Sequence, residues 1–405
     1  MEPNPCISAL GYRSSMDFSV PQDYQDLLAS FRSFLDREVR PVEERHAPQM
    51  QEDVFTDEMR EEGLALRRQS AELGFYAAHM PEEVGGMGLP ALGYTLLVEE
   101  LAKSGMRFGT FVLGPPNPEG PTPILMDLPE HLREKFVVPL CRGETTMCFA
   151  LTEPGAGSDA QSISTSAVLD GSEWVLNGTK HFITNGARAD IALVFAVTDK
   201  EKRANGGITA LLVERDTPGF QVGRKQTTLA GDTNQAELVF EDCRVPKDHV
   251  IGDVGFGFYT GMKFLNAGRA YIGAMCVGIA DYLIRICVEQ ANNRETFGKP
   301  IGKYQAIQWM LADSAVEVHA ARLMAYHLAW LVDEGQAPIK ESSIVKLHNT
   351  EMVNRVADRA VQIYGGMGLL TEGPVERIFR MVRMLRIVEG TSEIQRLVIA
   401  RSLGL

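Results

Sequence analysis

The feature that most constrains the fold is a change in hydrophobic period that divides the chain into three parts. Near the start, apolar residues recur at a spacing of four from Leu27 to Val39, a stripe typical of an amphipathic helix that Pro41 closes. From about residue 148, runs rich in Val, Thr, Ile and aromatic residues indicate strands. Long helical patterns return at about residue 256. The order along the chain is therefore helix, sheet, helix.

This pattern predicts an α+β chain with a β domain in the middle. Between the strand-like runs stand pairs that favour tight hairpins, because Asn, Asp and Gly tolerate positive φ. These pairs are Asp170-Gly171, Asn177-Gly178 and Asn185-Gly186. The predicted parts are an N-terminal tail at 1–20, an N-terminal α-helical domain at 21–147, a middle antiparallel β domain at 148–255 and a C-terminal, four-helix-bundle-like α-helical domain at 256–405.

Composition narrows the functional classes. A formal net charge of −13 and a pI near 5.2 disfavour nucleic acid as a partner. The cysteines show no CxxC spacing and the histidines no HExxH pattern, so the sequence indicates no metal site. Neither an apolar run of membrane-spanning length nor a secretory signal pattern is found, and we expect a cytoplasmic protein without membrane attachment.

The segment LTEPGAGSDA at 151–160 contains a formal GxGxxA motif. In a dinucleotide-binding fold this motif joins a strand to a helix. Here Pro154 precedes it and strand-like residues follow, so the context excludes that fold. A Gly-rich, hydroxyl-bearing loop at the edge of a β domain can still hold another ligand, although a plain connection is the commoner outcome.

Three further segments carry groups suited to chemistry. RETFGKPIGKYQ, at 294–305, can bind phosphates through its cations and main-chain N–H groups, or serve as a solvated connection. NAGRA, at 266–270, is expected to bury its arginine at a helix start, where the charge needs an anionic partner. RIVEGTSEIQR, at 386–396, sets Glu389 before a glycine and two hydroxyl residues, and taken alone it is typical of a helix N-terminus.

Together these segments resemble the acyl-CoA dehydrogenase family along almost the whole chain. The matching pieces, in family order and at family spacings, are PEEVGGMGL, CFALTEPGAGSDA, WVLNGTKHFITNG, RETFGKPIGKYQAIQ, QIYGGMG and IVEGTSEIQR. The resemblance implies an FAD-dependent oxidoreductase that converts an acyl-CoA to a trans-2-enoyl-CoA. It also implies FAD between the β domain and the C-terminal helices, partly across a subunit boundary, in a homodimer or homotetramer.

The resemblance carries over cofactor positions residue by residue. Those that match residues beside the flavin are Phe149, Leu151, Thr152, Ser158, Phe182, Ile183, Thr184, Thr391 and Glu393. Those that match residues holding the pyrophosphate and adenosine are Arg294, Thr296, Phe297, Gln305, Gln362, Gly365 and Gly366. The positions implied on the substrate side are Ser158, Asn266, Arg269 and Gly390.

Glu389 matches the catalytic base of the family, which takes the α-proton of the thioester while flavin N5 accepts the β-hydride. Some family members carry the base elsewhere, just before the arginine that matches Arg269. In this sequence that position is Gly268, which has no side chain. Glu389 is therefore the candidate base.

Four departures from the family leave the substrate open. Asn266 stands where an acidic contact is common, and Met381 stands where an aspartate is usual. Val388 stands where a tyrosine is frequent, and GPPNPEGPTP, at 114–123, is inserted where family members line the acyl pocket. The acyl group, and the choice between CoA and an acyl carrier protein, stay undecided. An electron-transfer flavoprotein is the expected electron acceptor. The alternatives are a flavin oxidase or monooxygenase on the same fold, and a non-catalytic flavin-binding protein, which retention of Glu389 disfavours.

Overall fold

The computed structural model describes residues 19–52, 54–116 and 118–405, apart from the side chains of Asp232 and Thr233. The predicted tail at 1–20 thus lies outside the described residues except for its last two. Helical bodies precede and follow a β-sheet in the described chain, which confirms the predicted α+β class and the order of elements.

The N-terminal body is helical. Its main helices are α1 (Gln22–Phe34), α2 (Asp57–Glu72) and α3 (Ala91–Ser104). The prediction that Pro41 closes α1 is wrong. A π-helical turn follows α1 and leads into a further helix whose first turn contains Pro41, and there the missing N–H of proline is tolerated. Shorter helical segments are Leu35–Val39, Arg40–Arg45, Ala47–Gln51, Glu82–Val84, Phe108–Phe111, Pro123–Asp127, Glu130–Leu132, Arg133–Val137 and Val138–Cys141.

The middle body is a seven-stranded sheet. Its strands are β1 (Met147–Ala150), β2 (Ser166–Asp170), β3 (Glu173–Ile183), β4 (Ile191–Val197), β5 (Ile208–Glu214), β6 (Phe220–Thr228) and β7 (Gly231–Pro246). They follow the order β1-β4-β2-β3-β7-β6, with β5 paired to β4. Most pairs are antiparallel, but β1 and β2 run parallel to β4. The sheet is therefore mixed, where the sequence predicted antiparallel pairing throughout.

The three predicted hairpin turns differ in outcome. Asp170-Gly171 forms the β2–β3 hairpin, as predicted. Asn177-Gly178 lies inside β3, at a register shift against β7, so the predicted hairpin there is wrong. A Cβ atom on Gly178 would lie 2.5 Å from Thr165 Oγ1, so the bulge needs glycine. Asn185-Gly186 forms a turn, but β3 and β4 are not paired neighbours, and the predicted hairpin is wrong here also.

The C-terminal body is built on long helices, as predicted. After α4 (Gly257–Asn293) a two-stranded hairpin follows, formed by β8 (Glu295–Thr296) and β9 (Lys299–Pro300). The remaining helices are α5 (Gln305–Asp333), α6 (Ile339–Tyr364), α7 (Pro374–Met384) and α8 (Ser392–Ser402), with 3₁₀ turns at Ile301–Lys303 and Gly365–Leu369. A further 3₁₀ turn, Ala160–Ser162, belongs to the middle body, between β1 and β2.

Helix α4 touches all three bodies. Its Tyr271 packs in the core of the N-terminal body, and its Cys276 packs in the core of the C-terminal body. Its Phe264 packs against the core shared with the sheet. Within the described chain, α4 is also the one helix whose length and composition would allow a membrane span. However, 67% of the apolar 18-residue stretch of this helix is buried inside the protein, as in the core helix of a folded domain.

Candidate active site

Glu389 lies in the tight turn between α7 and α8. Its backbone is left-handed, with φ of 53°, and Gly390 follows with φ of 92°. For a glutamate this conformation is uncommon and requires support from its surroundings. Its carboxyl oxygen Oε2 is buried and has no hydrogen-bond partner among the described residues. A turn that aims an unpaired carboxyl inward is typical of a functional group rather than of a helix cap.

Gly268, in the interior of α4, lies directly against this carboxyl. A Cβ atom built on Gly268 would be 2.7 Å from Glu389 Oε2 and 3.1 Å from Oε1. Any side chain at this position would therefore displace the carboxyl group. Gly268 and Glu389 are thus neighbours in space. These are the two positions at which family members carry the base, and in this chain only Glu389 carries an acid.

Arg269 is buried, as predicted, but it lies inside α4 rather than at a helix start. The expectation about the helix start is wrong because the helical pattern extends back to Gly257 through small and aromatic residues. Its guanidinium donates from Nη1 to Asn266 Oδ1 at 2.8 Å, and from Nε to the main-chain oxygen of Glu389 at 3.4 Å. Arg269, one of the predicted substrate-side residues, therefore adjoins the candidate base, and Asn266 is linked to the base through Arg269.

Two opposing effects act on the pKa of Glu389. Burial raises the pKa of its carboxyl to about 7, although the nearby charges of Arg269 and Lys346 act to lower it. The carboxyl is thus close to half ionised at neutral pH, where a general base works most effectively.

Four hydrogen bonds hold the turn in place, and their side chains were not foreseen from the sequence. Lys346 Nζ donates to Gly390 O at 2.7 Å. Gln395 Nε2 donates to the oxygens of Glu389 and Gly390 at 3.2 and 3.0 Å. Ser392 Oγ donates to Glu351 Oε1 at 2.7 Å. A charged residue on an otherwise buried helix face was the available signal for Lys346, yet the sequence does not say which turn that face meets.

Thr391 and Glu393 follow the base, with different surroundings. Thr391 is the N-cap of α8, since its Oγ1 accepts a hydrogen bond from Ile394 N at 3.3 Å. Glu393 lies in the first turn of α8 and is exposed. The simple N-terminal reading of this stretch is therefore correct for Thr391, and it coexists with the candidate base.

Phe149 and the residues after it reach the same region from the sheet. The Phe149 ring stacks on Phe264 of α4, with centroids 4.4 Å apart and an interplanar angle of 10°. Phe264 and Gly268 are four residues apart and lie on one face of α4. The end of β1 and the predicted flavin positions Leu151 and Thr152 are thereby placed one helical turn from the candidate base.

The other predicted flavin positions of the sheet lie at the end of β3. Phe182 is 57% exposed and has φ of 57°. Its N–H donates to Gln226 Oε1 at 3.1 Å, and its oxygen accepts from Gln235 Nε2 at 3.1 Å. The Ile183 side chain is buried in the core of the sheet, so only its main chain can meet a ligand. Thr184 is half-buried beside it.

The Gly-rich loop after β1 is anchored by a buried ion pair. Lys180 Nζ and Glu153 Oε1 are 2.7 Å apart, and the same carboxyl accepts from the main chain of Ser164 and Thr165. Burial opposes ionisation, but Lys180 and these hydrogen bonds outweigh it and lower the pKa of Glu153 to about 2. Ser158 lies exposed beyond the anchor. As the sequence context implied, the loop joins two strands.

The predicted pyrophosphate and adenosine positions form a second group, away from Glu389. Arg294 ends α4, 25 residues after Arg269, which corresponds to about 37 Å along a helix. All members are exposed; they are Arg294, Thr296, Phe297, Gln305, Gln362, Gly365 and Gly366. One dinucleotide cannot reach both groups within a single chain. The structure therefore does not bring these residues to the candidate base.

Both groups suit a flavin dinucleotide. The first combines aromatic rings with the Thr152 and Thr184 hydroxyls. The second offers a guanidinium and the open main chain of Gly365 and Gly366, where an added Cβ would meet nothing within 4 Å. Bare glycine backbone and a guanidinium are each suited to binding phosphate oxygens.

Comparisons with known proteins agree with this geometry. The chain matches the sequence profiles of the acyl-CoA dehydrogenase N-terminal domain over residues 21–144, the middle domain over 148–243 and the C-terminal domain over 255–404. The human protein named short-chain specific acyl-CoA dehydrogenase, mitochondrial, is 40% identical over 383 residues, which cover 94% of this chain and 90% of the relative.

Solved structures give the same result. Butyryl-CoA dehydrogenase from Megasphaera elsdenii has a TM-score of 0.84 at 36% identity, over 96% of this chain and all of its own, 100%. The structure described as PigA with FAD and proline has a TM-score of 0.85 at 27% identity, over 96% of this chain and 100% of its own.

Proposed function

The chain belongs to the acyl-CoA dehydrogenase family and is an FAD-dependent oxidoreductase acting on acyl-CoA; from this premise we propose that it oxidises short acyl-CoA thioesters with Glu389 as the base. The observation that carries the role of Glu389 is its buried, unpaired Oε2 atom against the bare backbone of Gly268. A carboxyl held in this way is free to accept a proton from a ligand that enters beside Gly268.

The chemistry divides between the chain and its cofactor. The α-proton of a thioester is weakly acidic, so a base must be positioned against it, and Glu389 takes this proton. FAD, when bound, supplies the acceptor for the hydride of the β-carbon, which leaves a trans-2-enoyl thioester. Arg269 and Gln395 hold the main chain of Glu389 and so fix the direction of the carboxyl. Phe149, Thr152 and Phe182 are the proposed flavin contacts.

Aromatic packing beside the base supports a short acyl chain. Tyr271 lies three residues after Gly268, on nearly the same face of α4. Its ring packs edge-on against buried Tyr94 of α3 at 4.9 Å, and His79 packs against Tyr94 at 4.6 Å. These rings fill the space between α3 and α4 one turn from the base. The length of acyl chain that the site accepts is therefore limited on this side. Val388, 41% exposed, lies outside this cluster.

A series of straight-chain acyl-CoAs tests the proposed function. We expect kcat/KM with butyryl-CoA to exceed that with octanoyl-CoA by at least about 10- to 200-fold, because one extra methylene in a hydrophobic pocket already has an effect of this size and the octanoyl chain is longer by several. Tyr271→Leu should narrow the ratio of the two kcat/KM values by making room, and Tyr282→Leu, about three helical turns further along α4, serves as the control. Equal rates for both substrates, or preference for octanoyl-CoA, would contradict the short-chain assignment.

The proposed electron acceptor is an electron-transfer flavoprotein, as in the family. Phe182 supports this choice because it is exposed at the end of β3, so the flavin site proposed beside it is open to a protein partner. The alternative is an oxidase or monooxygenase, in which the reduced flavin reacts directly with oxygen. No feature of the described residues favours it.

The exposed face of α5 supports a homo-oligomer. Large apolar side chains recur there at a spacing of seven, typical of helix–helix packing. They are Trp309, 62% exposed, Val316, 71%, Leu323, 42%, and Trp330, 48%. We propose that a second copy of the chain covers this stripe. The stripe begins beside the hairpin of Phe297, 93% exposed, whose neighbours are the proposed contacts to a partner's FAD.

Two charges on the stripe should separate the copies. In Trp309→Glu/Val316→Glu we expect the assembly to fall to monomers and to lose bound FAD, because burying two carboxylates in an apolar interface is costly. Light scattering after size exclusion measures the mass, and absorbance at the flavin band measures FAD per chain. Glu334→Gln, beyond the end of α5, is the control. A wild-type protein that is monomeric with full FAD would contradict the proposal.

A further inference from the structure

Lys346 is a fully buried ammonium on α6, with 0% of its surface exposed. Its hydrogen bond goes to a neutral oxygen, since Nζ donates to Gly390 O at 2.7 Å. Burying a cation against a carbonyl rather than a paired carboxylate is costly. An apolar side chain would fit this helix face at lower cost, and so the position of Lys346 requires an explanation beyond packing.

The charged and titratable groups around Lys346 come from three elements. Helix α4 contributes Arg269 and the thiol of Cys276, which is neutral because burial raises its pKa to about 12. Helix α6 itself contributes Glu351. The turn after α7 contributes Glu389, whose carboxyl is the largest influence that favours the charged ammonium. Burial of Lys346 lowers its pKa to about 8, which still leaves most of it protonated at neutral pH.

Helix α6 also contacts the turn of Glu389 at a second point. Glu351, five residues after Lys346, accepts from Ser392 Oγ at 2.7 Å and pairs with Arg386 Nε at 3.0 Å. One cation and one anion of α6 thus hold the two ends of the turn that carries the candidate base. The left-handed backbone of Glu389 lies between these two attachments.

We propose that Lys346 is a positioning residue for the base: its ammonium fixes the Gly390 carbonyl, which maintains the left-handed turn at Glu389, and its charge favours the ionised form of that carboxyl. This inference rests on the proposed role of Glu389. Lys346 does not touch the reacting atoms. It acts through Glu389, on both the place and the charge of that side chain.

The test compares Lys346→Met with Lys346→Arg in the FAD-loaded protein. The rate of flavin reduction should rise with pH as Glu389 loses its proton. Removing the cation in Lys346→Met should raise the pH of the half-maximal rate (the midpoint) by about one unit or more, because a nearby positive charge lowers a carboxyl pKa. Lys346→Arg retains the charge, so its midpoint stays close to that of the wild type, while misplacement slows the maximal rate by about 10²-fold.

A second readout does not depend on activity. Hydrogen exchange of the segment 386–395 should be at least tenfold faster in Lys346→Met than in the wild type, while α6 itself keeps its protection. Lys340→Met, near the start of the same helix, is the control. An unchanged pH midpoint in a folded Lys346→Met protein, together with exchange equal to that of the control, would overturn the inference. Absence of flavin reduction in the wild type would instead refute the proposed function.

Discussion

Glutamine in place of Glu389 leaves FAD and acyl-CoA bound but slows flavin reduction by about two to four powers of ten, the usual contribution of a general base. The amide is nearly isosteric with the carboxylate, so the turn and its hydrogen bonds from Lys346, Arg269 and Gln395 survive. Those bonds go to main-chain oxygens, which the substitution does not change. What is lost is the proton acceptor alone.

Stopped-flow absorbance under anaerobic conditions measures this rate. Glu372→Gln, an exposed carboxylate in the turn before α7, is the matched control and keeps the wild-type rate. FAD content and the Kd for a non-reacting enoyl-CoA show whether binding is intact. If Glu389→Gln reduces its flavin within threefold of the control, another residue takes the proton and the assignment fails.

Alanine in place of Gly268 should slow the same step by about 10²-fold, the effect of a 1 Å misplacement of a catalytic group. The new Cβ atom would lie 2.7 Å from Glu389 Oε2, so the carboxyl must move. The atom that moves is the end of a flexible side chain, and so the fold is little disturbed. Helix propensity favours alanine over glycine by about 1 kcal/mol, so Tm should hold or rise.

Activity and stability therefore move in opposite directions in this variant. Ala267→Ser, at the neighbouring exposed position of α4, controls for the change in the helix itself. Thermal unfolding followed by circular dichroism gives Tm, and flavin reduction gives the rate. A Gly268→Ala protein with the wild-type rate would mean that the carboxyl does not work from the place described here.

Much of the candidate site could be predicted because its residues lie in short contiguous motifs of the sequence. The Glu389-Gly390-Thr391 turn combines acid, positive φ and N-cap within three residues, and all three properties are local. The change of hydrophobic period likewise predicted the order of helix, sheet and helix, since the period reflects which face each element buries. These properties depend on neighbours along the chain, which a single sequence shows directly.

The features that were missed depend on contacts between distant residues. Lys346 meets Gly390 across 44 positions, and no local pattern indicates the pairing. The Asn177-Gly178 pair makes a bulge rather than a hairpin because Thr165, from the neighbouring segment, closes over Gly178. Pro41 was expected to end α1, but a new helix begins at Arg40, and in its first turn the missing N–H of Pro41 is tolerated. Tertiary context decided each of these cases.

Anaerobic titration of the FAD-loaded protein with butyryl-CoA tests the proposed reaction most directly. We expect the flavin band to bleach to completion at about one equivalent per chain, as one two-electron oxidation per FAD requires. Mass spectrometry of the quenched mixture should then show one trans-2-butenoyl-CoA for each bleached flavin. Under the same conditions Glu389→Gln should form neither on the time scale of seconds. Bleaching without the enoyl thioester, or equal product from Glu389→Gln, would contradict the assignment of Glu389 as the base of an acyl-CoA oxidation.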